Sequence, residues 1–259
     1  MKNLMIPALA LFLSAAAQAD DSPLWMRYCA ISPDGQTIAF SYQGDIYTVP
    51  SSGGKARQLT THPAHDTRPV WSPDGQKIAF ASNRSGNFDV FLMNKEGGEP
   101  KRLTTHSTNE YPTTFKDNGH ILYLANILQD AKDIQFPGTR FMQVYEISTD
   151  GGRPDLYSSL YMENIALSKD GSKLLYNDYK GYEDPWRKHH QSSITRDIWL
   201  CTLGKDRSFQ KVTTFGGEDR NPVWAADGAS FYYLSEEKGS FNTVSYTHLR
   251  AHETCADLV

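Results

Sequence analysis

Short apolar runs rich in β-branched and aromatic residues recur along this chain between polar turns: Ile38-Ala39-Phe40, Ile78-Ala79-Phe80, Ile121-Leu122-Tyr123, Leu174-Leu175-Tyr176 and Phe231-Tyr232-Tyr233. They are too short for helices and predict strands. Each follows a four-residue turn. Ser-Pro-Asp-Gly stands at 32–35 and 72–75, with degenerate copies at 116–119, 168–171 and 225–228. Proline presets φ at the second corner and glycine relaxes the exit, as a type I turn requires. Pro69-Val70-Trp71 and Pro222-Val223-Trp224 supply a strand before the turn. A third strand is expected at Asp45–Val49, Asp89–Met93, Gln143–Ile147 and Asp197–Leu200, and a fourth at Arg57–Thr61, Lys101–Thr105 and Lys211–Thr214.

Each unit therefore reads as four antiparallel strands joined by tight turns. The turn glycines at 35, 75, 119, 171 and 228 are spaced by 40, 44, 52 and 57 residues. A four-stranded unit repeating every ~40–45 residues is a propeller blade. The pattern predicts an all-β protein, a β-propeller over 20–243 with four blades near 24–65, 66–109, 110–161 and 162–217 and a partial fifth over 218–243. Two insertions, Leu128–Arg140 and Gly181–Arg196, explain the longer spacings. After Asn242 the third strand and Gly-Gly bend expected by analogy do not follow, so 244–259 reads as a tail foreign to the repeat. Four and a half blades imply an incomplete ring with an unpaired edge.

Lys2, the apolar stretch Leu4–Leu13 and Ala17-Gln18-Ala19 have the layout of a secretory signal, with cleavage expected after Ala19 and export to the periplasm. The apolar stretch is shorter than the ~20 residues a membrane span needs. The net charge of −4 becomes −5 without Lys2. Mild acidity argues against nucleic acid and anionic membranes as partners and leaves peptides or proteins. Cys29, Cys201 and Cys255 are too few for a disulfide framework, and the first two are expected as buried thiols.

The sequence carries no Gly-x-Ser-x-Gly elbow, phosphate-cradling loop or Cys-x-x-Cys pair, so no catalytic residue, metal site or cofactor is expected. His252-Glu253 starts like a zinc-peptidase helix, but Ala256 replaces the second histidine. In an antiparallel blade, the loop between strands two and three shares a rim with the loop leading to the next blade. Both insertions lie on that rim, as do the recurring acids Asp66, Glu110, Glu163 and Asp219. Recurrence points to a structural role for the acids: accepting backbone N–H groups from a neighbouring blade, or pairing with Arg68 and Arg220. The insertion joins an aromatic anchor to cations and histidines: Tyr182, Trp186, Arg187, Lys188, His189 and His190, flanked by Arg196 and accompanied by Arg140. These are the candidate binding residues, suited to peptide carboxylates and carbonyls; packing over the adjacent blade is the alternative.

The string from Leu59 to Gly86 resembles the Tol-type and tricorn-type propeller repeat. Pro23–Tyr28, Trp186–Trp199 and Gly217–Val223 favour the tricorn side and are similar to exported tricorn-like serine peptidases. The resemblance covers roughly Ser22 to Asn242. It implies that the propeller is the front of a longer chain carrying a PDZ module and a Ser/His peptidase. On that reading this segment is non-catalytic and serves substrate access, peptide binding or assembly, including assembly as an oligomer. A stand-alone Tol-type periplasmic propeller that binds protein partners is the alternative.

Overall fold

The computed structural model describes residues 25–127, 142–181 and 191–247. It forms five antiparallel sheets arranged as propeller blades. The first holds β1 (Arg27–Ile31), β2 (Thr37–Tyr42), β3 (Asp45–Pro50) and β4 (Arg57–Gln58). The second holds β5 (Asp66–Trp71), β6 (Lys77–Ser82), β7 (Asp89–Asn94) and β8 (Gly97–Arg102). The third holds β9 (Glu110–Asp117), β10 (His120–Ala125), β11 (Gln143–Ser148) and β12 (Asp155–Ser158). The fourth holds β13 (Met162–Leu167), β14 (Lys173–Asp178), β15 (Ile198–Thr202) and β16 (Ser208–Lys211). The fifth has three strands, β17 (Asp219–Trp224), β18 (Phe231–Ser235) and β19 (Asn242–Tyr246).

The repeated turn closes as its residues dictate. In the second blade Ser72 Oγ donates to Asp74 Oδ1 and accepts from Lys77 N at 2.9 Å, while Gln76 N donates to the same Asp74 oxygen at 3.0 Å. Ser32-Asp34 and Ser168-Asp170 repeat this arrangement. Gly75 leaves the turn at φ 66°, in the left-handed region that disfavours a Cβ.

Alternate strand residues of neighbouring blades interlock into four cores. Ile46, Ile78 and Phe80 join blades one and two. Leu103, Phe115 and Ile121 join two and three. Leu124, Met162 and Leu174 join three and four, and Leu175, Ile198 and Phe231 join four and five. Indole bonds add to two of these: Trp71 Nε1 donates to Ala30 O at 3.0 Å, and Trp224 Nε1 to Ala166 O at 2.9 Å. No core cluster among the described residues joins the fifth blade to the first, and Ile31, Val223 and Tyr232 are exposed.

Three expectations change. The Leu-Thr-Thr and Val-Thr-Thr segments are not the body of the fourth strand, because β4, β8 and β16 end before them. Instead their threonines cap the third strand. Thr60, Thr104 and Thr213 Oγ1 accept the N–H groups of Ile46, Val90 and Ile198 at 2.9–3.0 Å. Each buried donor thus finds an acceptor where the ladder stops. The fifth blade does have a third strand, since β19 pairs with β18 and runs to Tyr246, beyond the boundary read at 243. Cys29 is exposed on the inner strand β1, whereas Cys201 is buried as expected.

Candidate binding site at the channel mouth

The first strand of every blade is innermost. Together β1, β5, β9, β13 and β17 wall a central channel of about 640 Å³. All five of these strands carry a bulge, and four of the bulges hold a non-glycine residue in the left-handed region: Tyr28 (φ 53°), Arg68 (φ 55°), Asn164 (φ 49°) and Asn221 (φ 58°). In the third blade Pro112 stands at the position of Arg68 and Asn221, and its ring forbids positive φ. A bulge re-aims a side chain, and here the re-aimed residues line the channel. The turned backbone is held by the preceding blade: Arg68 N donates to Ser41 Oγ at 3.2 Å, and Asn221 N to Asn177 Oδ1 at 2.9 Å.

A second cavity of about 830 Å³ opens on the rim between blades one and two. The β2–β3 loop (Gln43, Gly44) and the β4–β5 loop (His62, His65) both line it, so the two loop types share a rim as alternating strand direction requires. Tyr28, Arg68 and Tyr111 line both cavities and mark where the rim groove meets the channel. The Arg68 guanidinium lies over both rings, 5.1 Å from the Tyr28 centroid and 4.3 Å from that of Tyr111.

The recurring acids have partners other than those expected. Asp66 is fully buried and accepts from Arg84 at 2.8 Å, not from Arg68. Arg220 lies over Phe241, 4.0 Å from its centroid, and does not pair with Asp219. The inter-blade bonds at these positions run the other way from the expectation, from the acids' own backbone N–H groups to carbonyls of the preceding blade. Asp66 N donates to Gly44 O, Glu110 N to Phe88 O and Asp219 N to Arg196 O, at 2.7, 2.7 and 3.1 Å. Burial pushes the Glu110 carboxyl up to about 7, helped by neighbouring Asp89. Burial likewise lifts Asp219 to about 6, against the nearby Ser235 and Thr213 hydroxyls.

Arg196 forks between Glu163 Oε2 at 2.8 Å and Glu218 Oε1 at 3.0 Å, which uses its guanidinium to join blades four and five. Tyr182, Trp186, Arg187, Lys188, His189, His190 and Arg140 lie outside the described residues. Sequence reasoning missed Arg68 and Tyr28 as channel residues. A signal was present: Arg68-Pro69-Val70-Trp71 and Asn221-Pro222-Val223-Trp224 repeat in every position except the first. A position that varies inside a repeated unit is not held there by the repeat.

Five antiparallel blades around an accessible channel define a β-propeller. The chain belongs to the Tricorn protease N-terminal beta propeller domain family, which matches residues 23–255. It is 23% identical over 244 residues to a tricorn protease homolog of Saccharolobus solfataricus, covering 90% of this chain and 21% of that protein. It is 25% identical over 223 residues to tricorn protease homolog 1 of Streptomyces coelicolor, covering 85% and 19%. The chain thus spans about a fifth of the length of these relatives. Among solved structures it is similar to the tricorn protease, with a TM-score of 0.65, 19% identity and coverage of 86% and 21%. It is also similar to a putative TolB from Agrobacterium tumefaciens, with a TM-score of 0.63, 18% identity and coverage of 84% and 72%. At these identities the structural likeness concerns the fold.

Proposed function

We propose that this chain is the non-catalytic propeller of an exported, periplasmic tricorn-like serine peptidase, and that it binds peptide and passes it toward catalytic and PDZ domains elsewhere in the parent protein. The observation that carries this reading is the continuity of the rim groove with the central channel through Tyr28, Arg68 and Tyr111. The inner strands present side chains and bulged backbone to the channel, which suits an extended peptide better than a globular partner. The insertion residues Tyr182, Trp186, Arg187, Lys188, His189 and His190, with Arg140, remain the candidates that the sequence offers for further peptide contacts. Arg196 would hold the base of that insertion in register.

A second reading is a free-standing propeller that binds protein partners. It is favoured by the likeness to the putative TolB, of which the chain covers 72%. Incubating the chain with a mixed peptide library separates the possibilities. The proposed function predicts peptides retained and uncut, read by mass spectrometry. Cleaved peptides would contradict a non-catalytic role, and a chain that retains folded proteins but no peptides would favour the second reading.

A further inference from the structure

Arg68 and Asn221 occupy the same place in their blades, followed by the same Pro-Val-Trp and held in the same left-handed backbone, at φ 55° and 58°. Asn164 solves the bulge of the fourth blade in the same way, at φ 49°. Asparagine is among the few side chains that visit this region readily, while a long side chain gains nothing local there. The fold therefore has a less strained residue for this position, uses it twice, and keeps an arginine at the channel mouth. Strain retained where the scaffold does not need it is a reason to look for function.

The surroundings of Arg68 say what that function is. Its guanidinium lies over the Tyr28 and Tyr111 rings, 5.1 and 4.3 Å from their centroids, and its N–H groups are the donors a ligand would meet. Among the described residues no carboxylate pairs with it. The other charged side chain of the channel wall, Glu163, is neutralised by Arg196 at 2.8 Å. On the rim side, Asp45 is engaged by Gln58 and Thr60 at 2.9 and 3.1 Å. The junction of groove and channel thus holds an arginine with two aromatic rings beside it and no carboxylate partner among the described residues. A planar guanidinium edge matches a carboxylate in shape as well as charge.

We propose that Arg68, Tyr28 and Tyr111 form a clamp that holds a carboxylate of a peptide ligand where the rim groove enters the channel. The assignment rests on the reading of this face as peptide-binding. The carboxylate belongs either to the peptide's C-terminus or to an acidic side chain, and the chemistry of the clamp is the same for both.

The test uses dansyl-labelled pentapeptides of one apolar sequence in three forms: free acid, C-terminal amide, and amide with a central glutamate. Their binding to the full chain and to its Arg68→Asn and Arg68→Lys variants is read by fluorescence anisotropy. Asparagine is the residue this fold already uses at that bulge, so Arg68→Asn is expected to melt within a few degrees of the parent chain. At least one carboxylate-bearing peptide should bind the parent at least tenfold more tightly than the uncharged amide, and which one gains identifies the source. Arg68→Asn should erase that preference, and Arg68→Lys should keep only part of it. If peptides bind but the preference is absent, or survives in Arg68→Asn, the clamp is wrong and the peptide-binding reading stands. If none of the three peptides binds, both fall.

Discussion

Replacing Glu110 by glutamine should make the protein more stable at high pH and leave it unchanged in acid. The Glu110 carboxyl is 1% exposed, and its Oε2 has no hydrogen-bond partner. The ionisable groups facing it are Tyr123 and Asp89, the latter ion-paired with Arg102 at 2.9 Å. Burial first, then the Asp89 charge, raises its pKa from 4.5 to about 7. The folded state therefore keeps a proton that the unfolded state has already released between those values. The contribution of this carboxyl to stability is complete below about 4.5, falls as the pH rises toward about 7, and is flat above. At about 1.4 kcal/mol per pH unit, the loss across that window is about 3 kcal/mol. Glutamine preserves shape and hydrogen bonding without the charge. Urea denaturation of both proteins at pH 4.5, 6 and 8 should show a stability difference that is absent in acid and grows to about 3 kcal/mol in favour of Glu110→Gln. Asp219, raised to about 6, adds the same trend to both proteins and cancels in the comparison. A variant no more stable than the parent at pH 8 would refute the reasoning, because it would mean that the charged carboxylate is well accommodated.

Three further substitutions probe the scaffold. Thr104→Val removes the acceptor of the buried Val90 N–H while keeping the shape, and should cost about 1–3 kcal/mol with faster hydrogen exchange at Val90. Asn177→Ala takes away the bonds to Asp197 O, Asp219 O, Asn221 N and Asn164 Nδ2; a loss of roughly 2–4 kcal/mol in urea denaturation is expected. Gly75→Ala places a Cβ at φ 66°, where it would meet only Pro33 Cδ at 3.5 Å. Backbone strain alone should then lower stability by about 1–2 kcal/mol, read as a drop in Tm.

Much of the fold was legible because turn chemistry and strand periodicity agree. Ser-Pro-Asp-Gly followed by an apolar triplet leaves little choice but a hairpin, and its recurrence sets the blade. The Leu-Thr-Thr segments misled because threonine suits a strand and a side-chain cap equally well. Whether Thr104 continues the ladder with its backbone or ends it with its hydroxyl depends on the neighbouring strand, which local sequence does not contain. The tail of the repeat misled for a related reason. Thr243-Val244-Ser245-Tyr246 lacks the hydrophobicity of Val90-Phe91-Leu92-Met93, yet pairing with β18 is enough to make it a strand. The site was less legible. Asp66 and Arg68 are two residues apart, and charge alone suggests that they pair. The bulge turns Arg68 toward the channel, and Arg84, two positions beyond Ser82 on the partner strand, takes Asp66 instead. No charge pattern reports a bulge; only the break in the Pro-Val-Trp repeat hinted at it.

Where a peptide sits on the chain decides the proposed function. Photo-crosslinking with a pentapeptide carrying benzoylphenylalanine, followed by mass-spectrometric mapping, would locate it on the chain. The predicted adducts lie on the channel strands at Tyr28, Arg68 and Tyr111, and on the rim loops that carry Gln43 and His65. Adducts confined to the opposite rim, at the turns of Gly35 and Gly75, would contradict the proposed entry and the function built on it.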